Sequence, residues 1–128
     1  MIDLLFIEAV RGALSAEFPD MHILLQNDVE QIQLPAVILE CSGDSLLNSP
    51  LVTGQLTVAV LSQADDSTIY QHMERVQAVG AVMNTLELKD EAVNLYGIIS
   101  TGSESSNTER HWATNLKFKA GFGPSVDN

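Results

Sequence analysis

At 128 residues the chain is long enough for one domain with a sizeable core and too short for two. Apolar residues make up 45% of it, which excludes a disordered chain of low hydrophobicity. Seventeen acidic side chains against six basic ones give a formal net charge of −11, so the surface repels phosphate and no basic stripe for nucleic acid is present.

Solubility alone would explain that acidity; a sharper reading is a surface past which DNA moves without sticking. Cys41 is the single cysteine, so no intrachain disulfide can form and a reducing compartment is the natural setting.

The opening residues, MIDLLFIEAVRGAL, are apolar enough to raise the question of a signal peptide. Asp3 and Glu8 lie inside the run and no basic segment precedes it, so it is read as a helix of the mature fold, from Ile2 to Phe18. Ile2, Leu5, Phe6, Ala9, Ala13 and Ala16 form a helical stripe, and Leu4, Ile7, Val10 and Leu14 widen it past half the circumference. A surface helix buries about a third of its circumference, so this breadth implies burial on two sides, within the subunit or against a neighbour. No apolar run approaches the roughly twenty residues that cross a bilayer.

Phe18-Pro19-Asp20 ends the helix, and Met21 to Gln26 reads as a short strand. A polar link follows, then Pro35 at the entrance of a second strand, Ala36 to Cys41, where a missing N–H is tolerated. Ser42 to Pro50 has the composition of a loop. The stretch from Leu51 to Leu86 is the scaffold. Leu56, Val58 and Val60 alternate with Gln55, Thr57 and Ala59, as in a strand with one buried face. The pattern breaks at Asp65-Asp66-Ser67 and resumes at helical spacing through Ile69, Met73, Val76, Met83 and Leu86, with Gly80 on the stripe. Thr68 and Gln71 have capping-box spacing.

Lys89-Asp90-Glu91 turns the chain into a strand from Val93 to Thr101. The polar segment Gly102 to Arg110 is the one candidate for a mobile arm. In the last strand, His111 to Gly121, Trp112, Leu116 and Phe118 face one way while Asn115, Lys117 and Lys119 face the other. Residues 1–121 are thus expected to form a single domain, with 122–128 a frayed tail.

The order α-β-β-β-α-β-β, with hairpin-length links after the second and fourth strands, predicts a two-layer α+β domain. Its sheet is mostly antiparallel, with both helices on one face. If Leu56, Val58 and Val60 meet the helices, then Ala59 and Leu61 face away, joined by Ile38 or Val37 and by Ile98 or Ile99. An apolar second face without a second helical layer calls for a partner.

No stretch spells out a chemistry. Gly43-Asp44-Ser45-Leu46 matches the nucleophile block of the GDSL hydrolases, in which Ser45 would need a histidine base and an acidic orienter. The one late histidine is His111, and Thr108 stands where the orienting Asp should be, so an enzyme is not expected. His22, His72 and His111 show no metal-ligand spacing, and no Gly-rich phosphate loop is present, so neither metal nor cofactor is expected. His72 falls on the stripe of the second helix, as a boundary or interface histidine. A closed pocket lined by His72 and Tyr96 would instead mark a small dimeric ligand-binding domain.

Taken together, the opening IEAVRGAL helix, the strand Leu34-Pro35-Ala36-Val37-Ile38-Leu39 and the strand Gly54-Gln55-Leu56-Thr57-Val58-Ala59-Val60 resemble the tail terminator (tail completion) proteins of long-tailed bacteriophages. The helix Ile69-Tyr70…Val76…Val82…Leu86 and the closing Trp112…Leu116…Phe118 carry the likeness to the end of the chain. Related neck and minor tail proteins share the layout. The resemblance implies a non-enzymatic virion protein, assembled in the host cytoplasm. It would form a hexameric ring that caps the tail tube, ends tail polymerisation and joins tail to head. Its partners would be further copies of itself, the tail tube protein and a connector or neck protein, with DNA passing through the lumen and no membrane involved. The expected contact residues are Leu4, Ile7 and Arg11 on the first helix and Ser45, Leu46 and Leu47 in the loop. Glu104, Glu109 and Arg110 in the arm and Lys117 and Lys119 on the last strand complete the set.

Overall fold

The computed structural model describes residues 2–26, 32–45, 51–64, 69–88, 93–108 and 110–124. In chain order the elements are α1 (Ile2–Glu17), β1 (His22–Leu25), β2 (Ala36–Ser45), β3 (Val52–Gln63), α2 (Ile69–Asn84), β4 (Val93–Ser105) and β5 (His111–Pro124). The strands form one five-stranded sheet in the order β1-β2-β3-β5-β4. β1 runs parallel to β2, and every other pair is antiparallel. This is the two-layer α+β arrangement that the element pattern predicts.

The alternation in β3 sets the two faces. Val52, Leu56, Val58 and Val60 are buried, as are Val37 and Leu39 of β2 and Phe118, Ala120 and Phe122 of β5. Register places these on one face, Val37 beside Val60 and Leu56 beside Phe118. Phe6, Ile7, Val10 and Leu14 of α1 and Val79 and Met83 of α2 close over them as one core. Each such side chain, fully buried, contributes roughly 1.5–3 kcal/mol. Both helices therefore cover the same face.

At Gly54 the backbone passes close to an aromatic ring. A Cβ there would lie 2.8 Å from Phe122 Cε1 and 3.3 Å from Cys41 Sγ, so the bare backbone makes room for the aromatic ring.

Three strands run further than their side chains suggest. The stretch Ser42 to Ser45, expected to be loop, pairs with Val52 to Gln55 and belongs to β2. Half of the supposed polar arm, Gly102 to Ser105, pairs with Thr114 to Lys117 and belongs to β4. Here backbone hydrogen bonds hold polar residues in a ladder that needs no apolar face. β4 accommodates the pairing with register shifts at Leu95/Gly97 and Ser100/Gly102, the second using the positive φ of Gly102. β5 continues past the expected end at residue 121, because Phe122 is buried and the strand pairs with β4 up to Pro124. Residues 125–128 of the expected tail lie outside the described residues, as do the break at 65–67 and Thr68 of the capping box.

The buried stripe of α2 also differs from its apolar pattern. His72, Val79 and Met83 are buried, whereas Ile69 and Met73 are 38% and 52% exposed. A polar residue leads the stripe because it finds polar partners on the sheet.

Candidate interaction surface

His72 is 5% exposed and both ring nitrogens are bonded: Nδ1 lies 2.8 Å from Ser62 Oγ and Nε2 2.9 Å from Thr114 Oγ1. Arg75 Nη1 donates to the same Ser62 hydroxyl at 3.1 Å, and Ser105 Oγ stands 3.4 Å from Thr114 Oγ1. One helix and three strands thus meet at a buried polar cluster. Burial, and then the nearby Arg75 guanidinium, hold the His72 pKa below its ordinary 6.5, so the ring is neutral at pH 7. Within one subunit His72 is thus a buried histidine with both ring nitrogens satisfied, rather than a boundary residue with its polar tip at an edge. Ser62 and Thr114 give the signal that could have revealed it, polar side chains on the inward register of β3 and β5.

The hydrolase arrangement does not assemble. Ser45 pairs with Val52, while His111 pairs with Gln63, eleven residue steps further along β3. At about 3.3 Å per residue this separation is roughly 35 Å. His22 pairs with Ala36, itself opposite Leu61, and His72 meets Ser62, so all three histidines lie at the end of the sheet away from Ser45. Ser62 does touch a histidine, but it is fully buried and bonded to Arg75, out of reach of a substrate. No group of three or more His, Cys, Asp or Glu among the described residues could hold a metal ion. His72 lines an open groove of about 420 Å³ with Met73 and Trp112, without Tyr96. Tyr96 sits at a bulge of β4, 58% exposed.

The sheet face turned away from the helices stands bare. No element of the described chain covers it. Ile38, Ala59, Leu61 and Ala113 lie there half-buried, lining a shallow trough of about 370 Å³. Ile99 stands 63% exposed on the same face, directly opposite Lys119. Thr57 joins the trough to a second depression, about 330 Å³, walled by Lys117 and Lys119. Lys117 Nζ makes a 3.1 Å ion pair with Glu104 Oε1, so these two expected contact residues are brought together. Lys119 is exposed and makes no ion pair among the described residues.

The other expected contact residues are scattered. Leu4 is 53% exposed, with Leu5 beside it at 41%. Ile7, expected at an interface, is 8% exposed and belongs to the protein's own core, because it faces the sheet with Val10 and Leu14. Arg11 is held by Glu8 one helical turn earlier, at 2.8 Å. Arg110 is exposed at the β4–β5 turn, where its carbonyl accepts from the Ala64 N–H at 3.0 Å. Leu46, Leu47 and Glu109 lie outside the described residues, and of Ser45 only the backbone register is described. Tyr70 and Met73 of α2 are also exposed, at 76% and 52%.

No protein-family model matches the sequence, and no curated protein matches it significantly. Solved structures do share the fold. One is a chain of the virion of a native gene transfer agent particle, which superimposes with a TM-score of 0.65 at 14% identity, over 91% of this chain and 92% of that one. A second solved chain matches at a TM-score of 0.52 and 13% identity, over 94% of this chain and 96% of that one. No helix among the described residues is long and apolar enough to cross a membrane.

Proposed function

We propose that the protein is a structural component of a phage-like virion, a tail terminator that forms a six-membered ring at the junction of tail and head. The observation that carries this reading is the uncovered sheet face, with Ile99 projecting from it and Ile38, Ala59 and Leu61 along its trough. The two helices cover one face and, among the described residues, no element is left for the other, so copies of itself are the natural cover. Full-length similarity in fold to a chain of a gene transfer agent virion supports the assignment to a particle. The charge of −11 suits a lumen through which DNA slides.

In this reading the ring sits on the last ring of the tail tube and stops further addition, while its other side receives the connector or neck. The protein performs no catalysis; it works by shape, apolar cover and charge. Polymerising tube protein from the same particle, incubated with increasing amounts of this protein, tests the reading by electron microscopy. Shortened tubes, each capped at one end, are expected. Tubes of unchanged length with bare ends would count against termination.

A further inference from the structure

On the uncovered face Lys119 is an exposed cation without an ion pair among the described residues, whereas Lys117 is neutralised by Glu104 and Glu40 lies across the trough. The helical layer carries an acidic groove that complements Lys119. The turn after α1 and the side of α2 enclose a groove of about 420 Å³. Phe18, Met21 and Ala78 supply an apolar lining, and Glu17, Asp20 and Glu74 stand exposed around it. Its one cation, Arg75, is turned inward to the Ser62 hydroxyl. Across the molecule, on the opposite face of the sheet, Ile99 projects beside Lys119, with Lys117 one pleat further along the strand.

We infer that the Ile99–Lys119 pair of one copy seats in the Glu17–Asp20–Glu74 groove of a second copy, Ile99 against the apolar lining and Lys119 against the carboxylates. The inference rests on the ring reading above and names the contact that would build the ring. Groove and projection lie on opposite faces of one sheet, so a single copy cannot bring them together. Two copies can, head to tail; such a contact repeats from copy to copy and makes a ring where the rotation between copies closes, an open filament where it does not. Exposed ion pairs add little affinity by themselves, so here the charges set orientation and partner choice while the apolar contact holds. A second copy fits better than an unrelated acidic protein because groove and projection belong to the same chain and are complementary in both charge and polarity.

Lys119→Glu and Glu74→Lys test this, both positions being exposed; circular dichroism verifies that each variant folds as the native protein does. Sedimentation equilibrium at low salt is expected to show self-association weakened about tenfold or more in each variant, because like charges then face each other. Mixing the two variants is expected to restore native assembly. The sheet face of the first variant, now acidic at position 119, meets the groove of the second, now basic at position 74; the unaltered face of the second meets the unaltered groove of the first. Failure of the mixture to restore assembly overturns the contact. Variants that associate as the native protein does also overturn it and leave the ring reading standing; if they have instead lost binding to tube protein, the lysine face belongs to the tube. A native protein that stays monomeric with and without tube protein overturns both.

Discussion

Phe6 and Phe122 stack face to face, ring centroids 4.1 Å apart and planes 7° from parallel. The first helix and the last strand therefore close the same end of the core. Phe122→Ala is expected to destabilise the fold by about 3–5 kcal/mol, a large share of the total for a single domain. Urea denaturation measures it, and a loss below about 1 kcal/mol would mean that the C-terminal end of β5 is not part of the core. Ending the chain after Gly121 is expected to cost at least as much.

Gly54 makes the space for that ring. A Cβ at this position would sit 2.8 Å from Phe122 Cε1, so Gly54→Ala is expected to cost about 1–3 kcal/mol through overpacking. With Phe122→Leu the ring edge is gone, and the added cost of Gly54→Ala should fall below its cost in the native background. Additive effects in a double-mutant cycle would show that the two residues do not meet.

His72 makes stability depend on pH. Its folded-state pKa is below the ordinary 6.5 because of burial and of Arg75, so above about pH 6.5 folded and unfolded chains both hold the neutral ring. As pH falls through 6.5 the unfolded chain takes up a proton that the folded chain resists, and stability drops until the folded-state pKa is passed. Among the described residues, the neighbours facing the ring are the hydroxyls of Ser62 and Thr114 and the Arg75 guanidinium; no carboxylate is bonded to it. Thermal melts from pH 7.5 to 5.5 should show a steeper loss in the native protein than in His72→Gln. Parallel curves would contradict a neutral, buried ring.

The Lys117–Glu104 pair is exposed on both sides, 43% and 68%. Replacing both residues by Gln is expected to change stability by less than about 1 kcal/mol, since solvent screens such pairs. A larger loss in chemical denaturation would assign the pair a structural role within the subunit.

The fold was legible wherever a side-chain pattern reports burial. Leu56, Val58 and Val60 fixed the inner face of β3, and with it the exposure of Ala59 and Leu61 on the other. Where the backbone alone decides, the pattern fell silent. Ser42 to Ser45 and Gly102 to Ser105 look like loop by composition yet extend β2 and β4 through ladder hydrogen bonds. Phe122 lay in a Gly/Pro-rich stretch that hid its role. In α2 the apolar residues Ile69 and Met73 misplaced the stripe, because His72 is buried through partners far away in sequence. Candidate contact residues were the least legible. The breadth of α1 could not distinguish Leu4, which is exposed, from Ile7, which is not; both are apolar, and only the packing separates them.

In the proposed ring, identical copies close into a circle to cover the face that each leaves bare. Native mass spectrometry across a concentration series, alone and with tube protein, tests it most directly. A species of six subunits, growing with concentration and free of larger open multimers, is the predicted result. A mass that remains that of one subunit throughout, tube protein included, would contradict it.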